Sequence, residues 1–228
     1  MIFRNEHAES YLPKAFIALT ICSSICISGY LMFFDESEMN SIFRPYKING
    51  DFVRNVLIIS CMIIYVLRLL VTLFFFFQRK LYWMEAIIIA NIMPWIFPYI
   101  AYTSGRYSKP IGLIEFIGIL FFLIGSYLNS ASEYLRYSWK KKDENAGRVY
   151  TGGLFKYAVN INYFGDIVLF IGLAAIAHQV ELLIVPASMG LIFILILIPL
   201  KDNYLKQKYG EEFVEYAAKT KTLIPLIY

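Results

Sequence analysis

Six runs of about 20 mostly apolar residues divide this 228-residue chain, and they settle which solvent it folds in. Each run is long enough to cross the hydrocarbon core as a helix, which satisfies its own backbone hydrogen bonds where lipid offers none. They lie at about Lys14 to Phe34, Asn55 to Phe77, Tyr82 to Tyr102, Ile111 to Asn129, Ile161 to His178 and Glu181 to Leu200. None alternates apolar and polar residues as a porin strand does. The expected fold is therefore all-α: a polytopic membrane bundle of about six transmembrane helices with a C-terminal interfacial helix, in one membrane domain over residues 1–228. A chain that is 59% hydrophobic and 17% charged is too apolar for a water-soluble globule. Cys22, Cys26 and Cys61 fall inside the runs without disulfide or metal spacing, and His7 and His178 are too few for a histidine-built site, so no metal is expected. Glu6 and Glu9 beside Arg4 argue that the first run is a retained helix and not a cleaved signal.

Six crossings put both termini on one side, and Lys and Arg indicate which. Fifteen fall on the side of the termini, the Arg79-Lys80 loop, the long loop after the fourth run and the tail; Arg44, Lys47, Arg54, Arg106 and Lys109 are the five opposite. The positive-inside rule puts the termini in the cytosol, or in the matrix of a mitochondrion. The endoplasmic reticulum is the expected membrane, with the mitochondrial inner membrane as the alternative. The net charge of +4 is accounted for at the membrane surface and needs no nucleic acid. In the tail, Leu205, Tyr209, Phe213 and Tyr216 recur near helical spacing between lysines, as in a helix lying along the interface, with Gly210 as a break.

Polar groups inside a bilayer are costly and point to function or to a partner. Arg68 lies well within the second run, one turn from Tyr65. It either pairs with Glu115 or Asp166, snorkels to the boundary, or lines a polar substrate cavity with Tyr65. The run GGLFKYAVNINYFGD, Gly152 to Asp166, begins with a glycine pair suited to a tight turn and puts Asn162 and Asp166 four apart on one helix face. Asn162 reads equally as a helix cap or as a contact to a carboxamide, since its amide both donates and accepts. In GSYLNSASEYLR, Asn129, Ser132 and Glu133 share a face near the end of the fourth run, which on spacing alone reads as a solvated helix end.

These segments together resemble the C-terminal half of the membrane steroid 5-alpha-reductase and trans-2-enoyl-CoA reductase superfamily. The shared pattern is Asn129, Ser132 and Glu133, a basic segment, Gly152-Gly153-Leu154-Phe155 with Tyr157, then Asn162-Tyr163-Phe164-Gly165-Asp166. The tail YLKQKYGEEFVEYAAKTKTLIP is similar to the superfamily's closing segment, and the likeness runs from about Tyr65 to Tyr228. It implies NADPH held on the cytosolic side by the last helices, with Asn129, Glu133, Arg136, Gly153, Asn162, Asp166 and Tyr204 as its contacts. It also implies hydride delivery to an enone or enoyl thioester in a steroid, isoprenoid or acyl lipid. The superfamily's His-Tyr-x-x-Arg segment corresponds to Ile64, Tyr65 and Arg68, which makes Tyr65 and Arg68 the catalytic candidates and Tyr65 the group that polarises a substrate carbonyl.

The departures are specific. The closing helix's Arg-x-x-x-His-x-x-x-Tyr reads Ile196, Leu200 and Tyr204, and the catalytic Glu of a Glu-Leu-Pro segment has only Glu9 before Leu12-Pro13 as a counterpart. Arg136, Lys140 and Arg148 have the charge to meet the extra phosphate of NADPH. Two other functions fit the architecture. One is a non-catalytic subunit of a larger membrane complex that keeps the reductase fold. The other is an S-adenosylmethionine-dependent methyltransferase of isoprenylcysteine or phospholipid. That signature begins Arg-His-Pro, where this chain has Val159, Asn160 and Ile161, and its later Glu-Glu pair falls near Lys201 and Asp202. Whether the chain is an enzyme stays open at this point. Its expected partners are a lipid-like substrate, membrane lipids and, for a subunit, other membrane proteins.

Overall fold

The computed structural model describes residues 10–33, 50–77, 79–104 and 107–228. Glu9, His7 and most of the segment from Asp35 to Arg54 lie outside the described residues. Eight α-helices follow in order: α1 Tyr11–Phe33, α2 Phe52–Val71, α3 Trp83–Ser104, α4 Leu113–Lys140, α5 Ile161–Ala177, α6 Ile184–Ile192, α7 Ile198–Tyr209 and α8 Glu211–Lys219. A π-helical turn, Thr72–Phe76, extends α2, and another, Phe193–Leu197, joins α6 and α7 into one rod. The described residues hold no named strand, only an isolated parallel bridge between Ala158 and Lys221. The chain is thus an all-α polytopic membrane bundle. Five helical stretches are long and apolar enough to span: Tyr11–Phe33, Phe52–Phe76, Trp83–Ser104, Leu113–Lys140 and Val180–Tyr209. They present residues such as Trp95, Leu113, Leu120 and Leu195 outward, as helices solvated by lipid do.

The fifth run behaves differently. α5 has 17 residues, roughly 26 Å of helix; it buries Asn162, Gly165, Phe170, Leu173 and Ile176 among others, and none of its residues is exposed. It is the protein-covered centre of the bundle. Its closest neighbour is α4, and glycines make that approach possible. A Cβ on Gly125 would fall 2.4 Å from the Gly165 carbonyl oxygen, and one on Gly172 would fall 2.5 Å from the Phe122 amide nitrogen. Gly118 and Gly125 on α4, and Gly165 and Gly172 on α5, form facing stripes at seven-residue spacing, so the two backbones pack directly where apolar burial gives no driving force.

α1 leans on α3, where prolines dictate the polar contacts. Pro98 cannot donate to the carbonyl of Pro94, a group that is costly to leave bare in lipid. The Ser24 hydroxyl of α1 donates to that carbonyl at 2.8 Å. Ser24→Ala is expected to lower stability by about 1 kcal/mol, read as a lower melting temperature in detergent, whereas Ser60→Ala, which removes an exposed bond to its own helix, leaves it unchanged.

Two polar clusters tie opposite ends of the bundle. At the end holding Asp51, Gly112 and His178, the fully buried Arg54 donates to Glu115 at 2.7 Å, and to the carbonyls of Ile176, Tyr107 and Lys109 at 3.1, 3.0 and 2.8 Å. Glu115 also accepts from the Gly112 amide at 2.8 Å and sits 2.8 Å from His178 Nδ1, whose ring stacks on Tyr107. Arg54 is therefore no free surface charge, and Glu115 is not the partner of Arg68.

The other end carries the basic loop and tail. α4 runs on to Lys140, past the end expected near Asn129, and Ser132 and Glu133 are buried in it. The solvated helix end expected from spacing is corrected: α5 covers this face. The α6 to α7 rod likewise continues past Leu200 to Tyr209, and Gly210, at φ +57°, is the elbow before α8. The apolar stripe of the tail is used on protein: Phe213 is fully buried among Val149, Val159, Leu205 and Tyr209. Tyr216 donates to the Phe155 carbonyl at 2.7 Å, and burial pushes its phenol well above the usual range.

Candidate functional site

The polar residues that the sequence scatters over three segments meet at the junction of α2, α4 and α5. Arg68 donates to Asp166 Oδ1 at 2.9 Å, settling its partner. The other oxygen of Asp166 accepts from Asn129 Nδ2 at 2.9 Å, and the same amide reaches the Asn162 carbonyl at 3.1 Å. Asn162 Nδ2 donates to Glu133 Oε1 at 3.0 Å, and Glu133 Oε2 pairs with Arg136. A continuous chain of hydrogen bonds thus runs Arg68, Asp166, Asn129, Asn162, Glu133, Arg136. Helical periodicity is what builds it: Asn129, Glu133 and Arg136 are on one side of α4, and Asn162 and Asp166 are one turn apart on the facing side of α5.

Asn162 is not the helix cap. Asn160 occupies the position before α5, and its side chain instead donates to Thr222 O at 2.9 Å and accepts from Lys201 Nζ at 2.7 Å. Among the described residues, the buried polar atoms without a hydrogen-bond partner include Arg68 Nε and Nη1 and Asn162 Oδ1. Buried groups of this kind are rare and mark places where a further polar partner fits.

Tyr65 is 3% exposed and lies edge-on between Phe97 and Phe170, ring centroids 5.6 and 5.4 Å away, with the Arg68 guanidinium 5.0 Å from its ring. The catalytic candidates are therefore together and joined to the chain through Arg68. Gly153 has φ +55° and starts a short 3-10 turn, Gly153–Lys156; a Cβ there would meet Tyr150 Oη at 2.9 Å and Leu135 Cδ1 at 3.0 Å. It shapes the loop that covers α4.

Beyond Arg136 lies a half-open cavity of about 150 Å³ bounded by the end of α4, the loop after it, α7 and α8. Arg136, Lys140 and Lys201 line it, with aromatic rings between them and no carboxylate. Arg148 is outside, exposed and 3.6 Å from Glu212. Tyr204 is not a wall residue either; its hydroxyl accepts from Lys208 at 3.2 Å. The cavity's α7 wall is Lys201, Leu205 and Tyr209. Lys201 was not singled out from the sequence, although the stripe of Leu205, Tyr209 and Phe213 extended back one turn lands on it.

A family model described as "Protein of unknown function (DUF1295)" matches residues 69–220. The chain belongs to the DUF1295 family, within the steroid 5-alpha-reductase superfamily. It is 29% identical over 127 residues to 3-oxo-5-alpha-steroid 4-dehydrogenase 2 of Homo sapiens, covering 56% of this chain and 45% of that protein. The Rattus norvegicus protein of the same name is 30% identical over the same length and shares. 3-oxo-5-alpha-steroid 4-dehydrogenase 1 of Rattus norvegicus is 28% identical over 113 residues, 48% of this chain and 40% of that protein. The matched stretch is thus under half the length of these relatives. The family match over residues 69–220 takes in the polar chain from Asn129 to Asp166 and every residue lining the cavity, with Tyr65 and Arg68 just before it. On its closing rod, Ile196 is 50% exposed on the outside of the bundle, so the position where the superfamily pattern has a cation does not face the site here.

Proposed function

We propose that this DUF1295 protein is a membrane-embedded, NADPH-dependent reductase of a carbon-carbon double bond in a steroid, isoprenoid or acyl lipid. The observation that carries the reading is the hydrogen-bonded chain from Arg68 to Arg136, assembled from the same residues that carry the superfamily likeness. The residues present fit the cofactor. Asn162 Oδ1 is a buried acceptor lacking a donor, suited to the N–H of a carboxamide, while Arg136 and Lys140 on the cavity wall suit phosphate. When bound, NADPH would supply a hydride to the β-carbon of the double bond, leaving NADP+, and the α-carbon would take up a proton that comes ultimately from the medium.

The protein's own groups orient and polarise. Asp166, held by Arg68 and Asn129, fixes the α5 face on which Asn162 lies. Tyr65 and Arg68 stabilise the negative charge that develops on the substrate carbonyl oxygen, in a site walled by Phe97 and Phe170 that excludes water. A lipid-like substrate reaches this depth from the bilayer. The basic end of the bundle faces the cytosol, as the Lys and Arg count indicates, in the endoplasmic reticulum.

The test is deuteride transfer: purified protein, NADPH deuterated at the transferable position, and a panel holding a 3-oxo-Δ4 steroid, a polyprenyl enone and a trans-2-enoyl thioester. Incorporation of one deuterium at the β-carbon of one class supports the reading, and none in any class, with cofactor bound, removes the proposed chemistry. Asn162→Ala is expected to weaken NADPH binding at least about tenfold without unfolding the protein, since it removes the carboxamide contact. Tyr65→Phe is expected to keep cofactor affinity and lower kcat roughly 100-fold; a wild-type rate removes Tyr65 from the mechanism. A second reading, a subunit that keeps the fold without activity, is favoured by Ile196 and Leu200 standing where the superfamily's cofactor residues belong.

A further inference from the structure

We propose that the cavity between α4, α7 and α8 is a site for a phosphate ester attached to a flat aromatic ring, and that Lys201 is its principal phosphate ligand. The proposal rests on the reductase reading and extends it to a residue for which the superfamily pattern has no counterpart.

Lys14 and Lys201 are the buried lysines among the described residues; Lys14 donates to the Phe77 carbonyl at 2.7 Å, whereas Lys201 lines the cavity. It is 8% exposed, and its ammonium has one hydrogen-bond acceptor, the neutral amide oxygen of Asn160, at 2.7 Å, with the Tyr163 ring 5.0 Å away. No carboxylate pairs with it among the described residues. A buried ammonium without a counter-ion is strongly disfavoured unless an anion completes it. If Lys201 only tied Asn160 and Thr222 together, a neutral amide donor would serve without that penalty.

The surroundings specify the anion. Arg136 and Lys140 approach the same space from α4, giving three cations on two elements and no carboxylate on the cavity wall, with Arg136 held from behind by Glu133. Glu133 is occupied by Arg136 and Asn162, and Glu212 lies towards Arg148. Three converging cations suit a phosphate or diphosphate better than a carboxylate. Tyr150, Phe155, Tyr209, Phe213 and Tyr216 line the same cavity, and aromatic side chains pack on a nucleobase but gain little from a glycerol headgroup. α8 closes the cavity with Phe213 and Tyr216. Gly210, at φ +57° and with nothing within 4 Å of where a Cβ would stand, leaves the elbow unobstructed. On this account Lys201 supplies from the adjacent, inward-facing position the charge missing at Ile196 and Leu200.

The experiment titrates the detergent-purified full chain with adenosine 2′,5′-bisphosphate, glycerol 3-phosphate and NADPH, for wild type, Lys201→Met and Lys201→Arg. Wild type is expected to bind the bisphosphate, in competition with NADPH, and to bind glycerol 3-phosphate at least about tenfold more weakly. Lys201→Met should weaken bisphosphate binding at least about tenfold, the loss of one charge-assisted hydrogen bond, while Lys201→Arg keeps most of it. The unliganded Lys201→Met protein should melt no lower than wild type, because it no longer buries an uncompensated charge; a purely structural lysine would lower the melting temperature. NADPH and bisphosphate binding unchanged in Lys201→Met overturns the proposal and leaves the reductase reading standing. Bisphosphate binding that depends on Lys201, without any NADPH binding, keeps the anion site and removes the reductase reading. Glycerol 3-phosphate binding as tightly as the bisphosphate overturns the ring half and points to a lipid headgroup. Binding of neither nucleotide overturns both.

Discussion

Gly125→Ala is expected to disrupt the bundle although it adds one methyl group. The new carbon would meet the Gly165 carbonyl oxygen and the Leu169 amide nitrogen at 2.4 Å and Leu169 Cα at 2.8 Å. All three are backbone atoms, so no side chain can swing away and the helices must separate by roughly 1 Å to restore ordinary contact. Overpacking of this kind costs about 1–3 kcal/mol or more. Function suffers with it, because Asn129 and Asp166 are joined across the same interface at 2.9 Å. Gly190→Ala is the matched control: its Cβ meets only Ile167 Cδ1, at 3.6 Å, so it should be neutral or stabilising by about 0.5–1 kcal/mol. Melting of the two variants in detergent checks the claim. Equal stability of both would mean that α4 and α5 do not pack backbone to backbone.

Arg54→Met is expected to be the most damaging change at the opposite end. Arg54 and Glu115 are 0% and 2% exposed in their side chains, and removing one member of such a pair leaves the other charged and buried, at about 3–5 kcal/mol. The loss spreads further, since Arg54 also holds the carbonyls of Tyr107 and Lys109 and thereby the entry to α4. Replacing both residues, Arg54→Met with Glu115→Met, should recover part of the stability, because no lone charge remains. A double-mutant cycle on melting free energies measures this. Additive losses would show that the pair does not act as a unit.

Both features bear on what the sequence could tell. The six runs were legible because crossing a bilayer demands length and apolarity, and these show in any window. The central place of α5 was not, since a helix buried in protein and one facing lipid are equally apolar. Its glycines at 165 and 172, matched by 118 and 125 on α4, were the available sign. For Arg68 a pair with Glu115 or Asp166 stood beside snorkelling and a substrate cavity, and the choice of Asp166 followed from which end of each helix the residues occupy. The Arg54, Glu115 and His178 cluster was hidden because its members are 61 and 63 residues apart and lie where helices end, outside any local pattern. Among the site residues, Asn129, Glu133, Asn162 and Asp166 were marked by helical spacing and Arg136 by its charge, and all five share one chain of bonds. Lys201 was masked by the positive-inside rule, which explains any lysine near that end and so hides one that points inward.

Cofactor binding is where the whole account meets one number. Purified protein is titrated with NADPH by fluorescence, with NADH and S-adenosylmethionine alongside, for wild type and Asn162→Ala. The account requires saturable binding of NADPH by wild type, weaker binding of NADH, none of S-adenosylmethionine, and a loss of at least about tenfold in Asn162→Ala. Folded wild-type protein that binds none of the three would contradict the reductase assignment and leave the bundle as a subunit whose polar chain serves assembly.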